Sequence, residues 1–181
     1  MDKINQCCGV MDAQGYFIDG EFYPKEIAIS SHKIRTSILC DINQEKIVMF
    51  AKDRQTVKIV ERMIRMPIDS EDDVWTKYEN NPEGFQKYYG LPTILSLYQW
   101  IQTPERPFIA IKNSQMIPLL RDFDIPFIHI DEIKELIQPD YINWCSPTCT
   151  YHHDRSTKIK CAQSKADAIW KLINKHKLNK M

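Results

Sequence analysis

The chain reads as an α/β layered domain, and three observations predict it. The N-terminal part alternates apolar and polar residues with the period of two that strands require, broken by tight-turn residues. The remainder alternates helical and strand-like patterns, the order expected of a sheet with helices packed on it. Finally, 43% of its 181 residues are hydrophobic and 10% aromatic, enough to fill one core, which predicts a single domain over 1–181.

In chain order, residues 7–11 form a short apolar run and residues 16–23 a second one. Asp19-Gly20 is a tight-turn signal, so a strand and hairpin are expected there. Residues 25–30 and 33–40 continue as strands, completing an antiparallel meander. Val57, Val60 and Ile64 recur at helical spacing within 52–66, and Pro67 stops that helix. Residues 70–82 are acidic and polar, an exposed loop or short helix. A helix is predicted over 91–101, with Pro92 tolerated in its first turn. Strands are expected at 107–112 and 126–131. Helices are expected at 115–123, where Asn113-Ser114 caps, and at 132–138. The last segment is an amphipathic helix with Ala162, Ala166, Ile169 and Ile173 on one stripe.

Composition excludes several functions. Lys+Arg and Asp+Glu are both 24, a formal net charge of zero, which argues against a polybasic binder acting by bulk charge. Only 5 glycines are present, and no glycine-rich phosphate-binding motif. The neutrality is uneven: residues 151–181 hold eight basic and two acidic residues, leaving +6 there and −6 over 1–150. A local anion-binding face built from Lys158, Lys160, Lys165, Lys171 and Lys175 is therefore compatible with overall neutrality. The opening residues form no apolar leader, and no run approaches the roughly 18 residues of a spanning helix. The expectation is an intracellular, cytoplasmic or nuclear protein without a membrane partner. Its six cysteines are then core residues or metal ligands rather than a disulfide framework.

The densest chemical cluster is Cys145-Ser-Pro-Thr-Cys149-Thr-Tyr-His152-His153, followed by Cys161. Zinc takes four N, S or O donors in a tetrahedron, and short Cys–His spacings place two donors on one turn. Cys149, His152 or His153, and Cys161 supply three donors; Cys145 is a fourth, local choice. Buried thiols beside surface histidines are the plainer reading, but the spacing favours metal. A second feature is Asp12-x-Gln14 at the first strand. Two-metal nucleases present Asp-x-Glu on a strand, and here the second carboxylate is an amide that brings no charge to a metal. Glu26 lies within a strand among apolar neighbours, where it either faces solvent or needs a partner.

Weaker candidates carry a plainer reading. Cys7-Cys8 is expected in the core, and His129 as a hydrogen-bonded sheet residue. Tyr88, Tyr89, Trp100 and Trp144 are aromatics that can stack on bases but are more commonly buried.

Pro24-Lys-Glu26-Ile-Ala-Ile29 on an early strand, with Cys149-x2-His152-x8-Cys161 before a last helix, resembles the Maelstrom domain. That family acts in the small-RNA pathway that silences transposons, and related small proteins occur in arthropods and their viruses. The resemblance implies an RNase H-like fold of the DEDDh exonuclease type, a mixed sheet flanked by helices. It also implies a structural zinc held by Glu26, Cys149, His152 and Cys161. It further implies loss of the exonuclease acids, matching Asp12-x-Gln14 and the Cys161, Ala166 and Asp167 found near the final helix. The expected function is a non-catalytic, zinc-stabilised module binding single-stranded RNA or a protein partner. The alternatives are an active nuclease on single-stranded RNA and a structural or assembly protein.

Overall fold

A computed structural model describes residues 3–40, 50–64, 92–133 and 161–178. It is an α/β structure around a mixed five-stranded sheet. In chain order the strands are β1 (Cys7–Ile18), β2 (Glu21–Ser31), β3 (Arg35–Leu39), β4 (Phe108–Ile111) and β5 (Phe127–His129). The helices are α1 (Ala51–Ile64), α2 (Thr93–Ile101), α3 (Met116–Asp122) and α4 (Ala162–Leu178). Short 3-10 turns occupy Lys3–Gln6 and Ile130–Glu132.

The strand order is β3-β2-β1-β4-β5. β1 pairs antiparallel with β2, and β2 with β3, while β4 is parallel to β1 and β5 parallel to β4. The first hairpin turns at Asp19 and Gly20, both in the left-handed region at φ 48° and 81°. That pair of angles matches the right-handed twist of the flanking strands, so Asp-Gly closes the loop in two residues. The Asp19 N–H donates to Asp53 of α1, whose other oxygen accepts the Phe50 N–H at 3.0 Å. One carboxylate thereby ties the hairpin to a helix start. The second turn is closed by Ser31, whose hydroxyl oxygen accepts the Lys33 and Ile34 N–H groups at 3.1 and 3.0 Å.

β1 is longer than either apolar run that predicts it, because a bulge between Gln14 and Gly15 lets the strand continue. β2 likewise runs through Pro24. Pro24 pairs with Gly15 at that bulge, and β3 reaches only to Glu26, so its missing N–H costs no regular ladder bond. The predicted helices at 52–66, 91–101 and 115–123 form as Ala51–Ile64, Thr93–Ile101 and Met116–Asp122, and residues 65 and 66 lie outside the described residues. Residues 70–82 and 134–138 lie outside the described residues.

The two sheet faces bury different surfaces. Met11, Ala13, Ile27, Ile29, Ile38, Ile109 and Ile111 face α2 and α3, packing on Ile94, Leu97, Ile101, Met116 and Leu120. The opposite face presents Val10, Ala28, Ala110 and Ile128 to α4, which contributes Ala162, Ala166, Ile169 and Ile173. Small alanines on both partners let α4 lie close across β1 and β2, and all four stripe residues are fully buried. Among the described residues no helix is long and apolar enough to cross a membrane.

Candidate functional site

The face under α4 is not wholly apolar. Strand alternation places Asp12 on β1, Glu26 and Ser30 on β2, and Arg35 and Ser37 on β3 beside the alanines of that face. Helix α4 adds Gln163, Lys165 and Asp167, and Cys161 stands just before it. Asp12, Glu26, Ser30, Ser37, Gln163 and Asp167 are all buried. A polar layer of this kind is stable only if its members satisfy one another.

Glu26 is completely buried and well satisfied. Its Oε2 accepts the Ala162 N–H at 3.0 Å, and Oε1 the Gln163 N–H at 3.4 Å. The carboxylate therefore sits on the N-terminal end of α4, where orphan N–H groups and the helix dipole favour an anion. The Ser37 hydroxyl donates to Oε1 at 2.8 Å and stands 3.1 Å from Gln163 Oε1. The Cys161 thiol lies 3.5 Å from Oε1. Two donors of one tetrahedral zinc, one oxygen and one sulfur, stand roughly 3.5 Å apart from the Zn–O and Zn–S lengths. The Glu26–Cys161 pair therefore fits two positions of such a site, with Ser37 and the helix N–H groups orienting the carboxylate from outside it. Cys149 and His152, like the alternatives Cys145 and His153, lie outside the described residues. Among the described residues no cluster of three His, Cys, Asp or Glu side chains is present.

Asp12 is also fully buried, and its setting differs. The Lys165 ammonium stands 3.5 Å from Oδ1 as an ion pair, yet neither oxygen accepts a hydrogen bond among the described residues. Burial pushes the Asp12 carboxyl up to about 7; Lys165 opposes that shift and Glu26 adds to it. Gln14 lies two residues further along the same face, opposite Glu26 in the strand register. Asp167 is held by the Ser30 hydroxyl and by an ion pair with Arg35. Gln163 Nε2 reaches Ser30 Oγ at 3.5 Å and closes the layer.

Of the lysines expected to form a basic face, Lys171 and Lys175 lie exposed on α4. Lys165 instead runs inward to Asp12. Lys158 and Lys160 lie outside the described residues. Arg35, Ser30, Ser37 and Gln163 were not singled out from the sequence. Their signal was faint: polar residues at every second strand position, on the face that carries the alanines.

The remaining candidates behave as ordinary structural residues. Cys7 and Cys8 are buried, and burial raises the Cys8 thiol to about 11, unsuited to thiolate chemistry. His129 Nδ1 accepts the Asp131 N–H, and Nε2 lies 3.2 Å from the Ser114 hydroxyl. Trp100 is half exposed, at 50%. Tyr88, Tyr89 and Trp144 lie outside the described residues. Comparison of the chain with protein-family models, curated proteins and solved structures finds no match.

Proposed function

We propose that this chain is a non-catalytic, zinc-stabilised module of RNase H-like, DEDDh exonuclease-like fold that binds single-stranded RNA, resembling the Maelstrom domain. The observation that carries the non-catalytic reading is the Lys165 ammonium 3.5 Å from a fully buried Asp12. Two-metal hydrolysis needs carboxylates that hold divalent cations beside an open position for water and substrate. Here a lysine supplies the positive charge from within the chain, α4 covers the carboxylate, and Gln14 brings no second charge.

The fold reading is supported by a three-stranded antiparallel meander extended on the β1 side by two parallel strands. The zinc reading is supported by the Glu26–Cys161 separation and by the Cys149-x2-His152 spacing. Glu26, Cys149, His152 and Cys161 would hold the ion, which supplies a fixed cross-link and no open coordination position. RNA binding is supported by the +6 charge of residues 151–181 and by the exposure of Lys171 and Lys175.

Labelled single-stranded RNA incubated with Mg2+, Mn2+ or chelator tests the reading. RNA is expected to be bound and left intact under all three conditions, with affinity falling as salt rises. Metal-dependent shortening that Asp12→Asn abolishes would establish a nuclease instead. Absence of binding even at low salt would favour a protein-assembly role.

A further inference from the structure

Helix α1 packs on β1 with little of its own surface. Asp53 and Val57 are buried, and Val60 and Glu61 are half-buried. At 3.6 residues per turn these four positions fall on one side of the helix. The other side is exposed and carries Lys52, Arg54, Lys58 and Arg62 together with Ile59 and Met63. Both acids of α1 therefore belong to the sheet side, where Asp53 accepts the Asp19 and Phe50 N–H groups. The outer side has four cations and no acid. Among the described residues none of these four cations has an ion pair or a side-chain hydrogen bond.

The same side is apolar as well as basic. Five large hydrophobic side chains are exposed among the described residues, and three belong to α1 or the residue before it: Phe50 at 53%, Ile59 at 51%, and Met63. Single exposed apolar residues are ordinary, whereas several gathered on one element mark a contact surface. Their arrangement is regular. Residues four apart on a helix are neighbours, about 6 Å along its axis. Arg54, Lys58 and Arg62 thus form a cationic ridge, and Gln55, Ile59 and Met63 the ridge beside it.

We infer that the outer side of α1 docks a protein partner through an acidic amphipathic helix. Its carboxylates pair with Arg54, Lys58 and Arg62, and its apolar side chains cover Ile59 and Met63. Acids at i, i+4 beside apolar residues at the same spacing match both ridges at once. A single strand of nucleic acid satisfies the cations, but Ile59 and Met63 offer a base no π face and stay wet. A bilayer covers the apolar residues, but Gln55 stands on the crest of the helix, nearly opposite Val57, with Arg62 beside it. Both would have to enter the membrane interface ahead of Ile59 and Met63, which is costly. The inference goes beyond the RNA-binding reading and does not depend on it, since that reading places RNA on residues 151–181.

Anisotropy of a labelled synthetic helix with a glutamate ridge beside a leucine ridge, titrated with the full chain across a salt series, tests the surface. The parent protein is expected to bind this peptide, and to bind versions with glutamine for glutamate or serine for leucine about tenfold more weakly. Lys58→Glu combined with Arg62→Glu is expected to weaken binding by about tenfold or more and to remove most of its salt dependence. Ile59→Ser with Met63→Ser is expected to cost about tenfold and to leave the salt dependence in place. All four side chains are exposed, so urea denaturation of both variants should follow the parent. No peptide binding at low salt, or full binding by the Ile59→Ser, Met63→Ser variant, would overturn the inference. If the parent ignores the peptide, the other ligands say what replaces it. Oligouridine lost with Lys58→Glu, Arg62→Glu makes α1 a nucleic-acid surface, and phosphatidylserine vesicles lost with Ile59→Ser, Met63→Ser make it a membrane surface. Sedimentation in which the parent dimerises and both variants do not would likewise overturn the inference, in favour of a second copy of the chain.

Discussion

A buried carboxylate is costly when ionised, and Asp12 and Glu26 meet that cost in different ways. Glu26 accepts two backbone N–H groups and a hydroxyl, whereas Asp12 has one ammonium at 3.5 Å. The consequence for Asp12 is a carboxyl raised from 3.8 to about 7. A carboxyl with a raised native pKa binds its proton more tightly folded than unfolded. Its contribution to stability is thus fully present below pH 4 and is lost as pH rises towards 7. The loss is on the order of 4 kcal/mol at most, from 1.36 kcal/mol per pH unit. Asp12→Asn removes the titration, and Lys165, whose side chain is 27% exposed, can turn its ammonium to water. The variant is expected to match the parent in urea denaturation at pH 4 and to exceed it at pH 8. Parallel stability curves across that range would refute the raised carboxyl. Both acids were visible in the sequence as carboxylates at strand positions. Their partners were not, because Lys165, Ser37 and the Ala162 N–H come from segments that only folding brings alongside.

At the scale of elements, local chemistry was a good guide to turns and helical stripes. Asp19-Gly20 closes a two-residue hairpin, and Ala162, Ala166, Ile169 and Ile173 all face the sheet. Strand lengths were harder to read, because β1 and β2 pass through Gly15 and Pro24, residues that normally interrupt strands. The bulge explains both, and it makes a prediction. A Cβ on Gly15 would lie 2.1 Å from the Tyr23 carbonyl oxygen, on backbone that cannot yield. A Cβ on Gly20 meets nothing within 4 Å, so only the left-handed backbone angle penalises it. Gly15→Ala is expected to destabilise by about 3 kcal/mol, and Gly20→Ala by about 1 kcal/mol. Chemical denaturation of the two variants ranks them directly; the reverse order would contradict the bulge. Helix α4 shows the limit of element-level reading. Its stripe was legible, but its N-terminal end resting on Glu26 depends on how it crosses β2.

At the scale of the whole molecule, a zinc joining Glu26 to Cys149, His152 and Cys161 would pin the N-terminal meander to the start of α4. Purified protein is expected to carry one zinc per chain, and chelation to lower the melting temperature. Glu26→Gln, Cys149→Ser, His152→Ala and Cys161→Ser should each lose the metal, while Cys145→Ser should keep it. Metal lost with Cys145→Ser but kept with Glu26→Gln would make the site a local one in the Cys145–Cys161 segment. The charge split behaves similarly at this scale. Part of the +6 carried by residues 151–181 is neutralised internally, where Lys165 pairs with Asp12 from the net-acidic first 150 residues. By itself the sequence determined the alternating strands, the hairpin, the antiparallel meander and the helices that follow it. These follow from side-chain periodicity and turn chemistry over a few residues. Only the tertiary structure decided which polar side chains are covered and what covers them. Burial is a relation between distant segments, and the placing of α4 across β1 and β2 turned Lys165 from a surface cation into the counter-ion of Asp12.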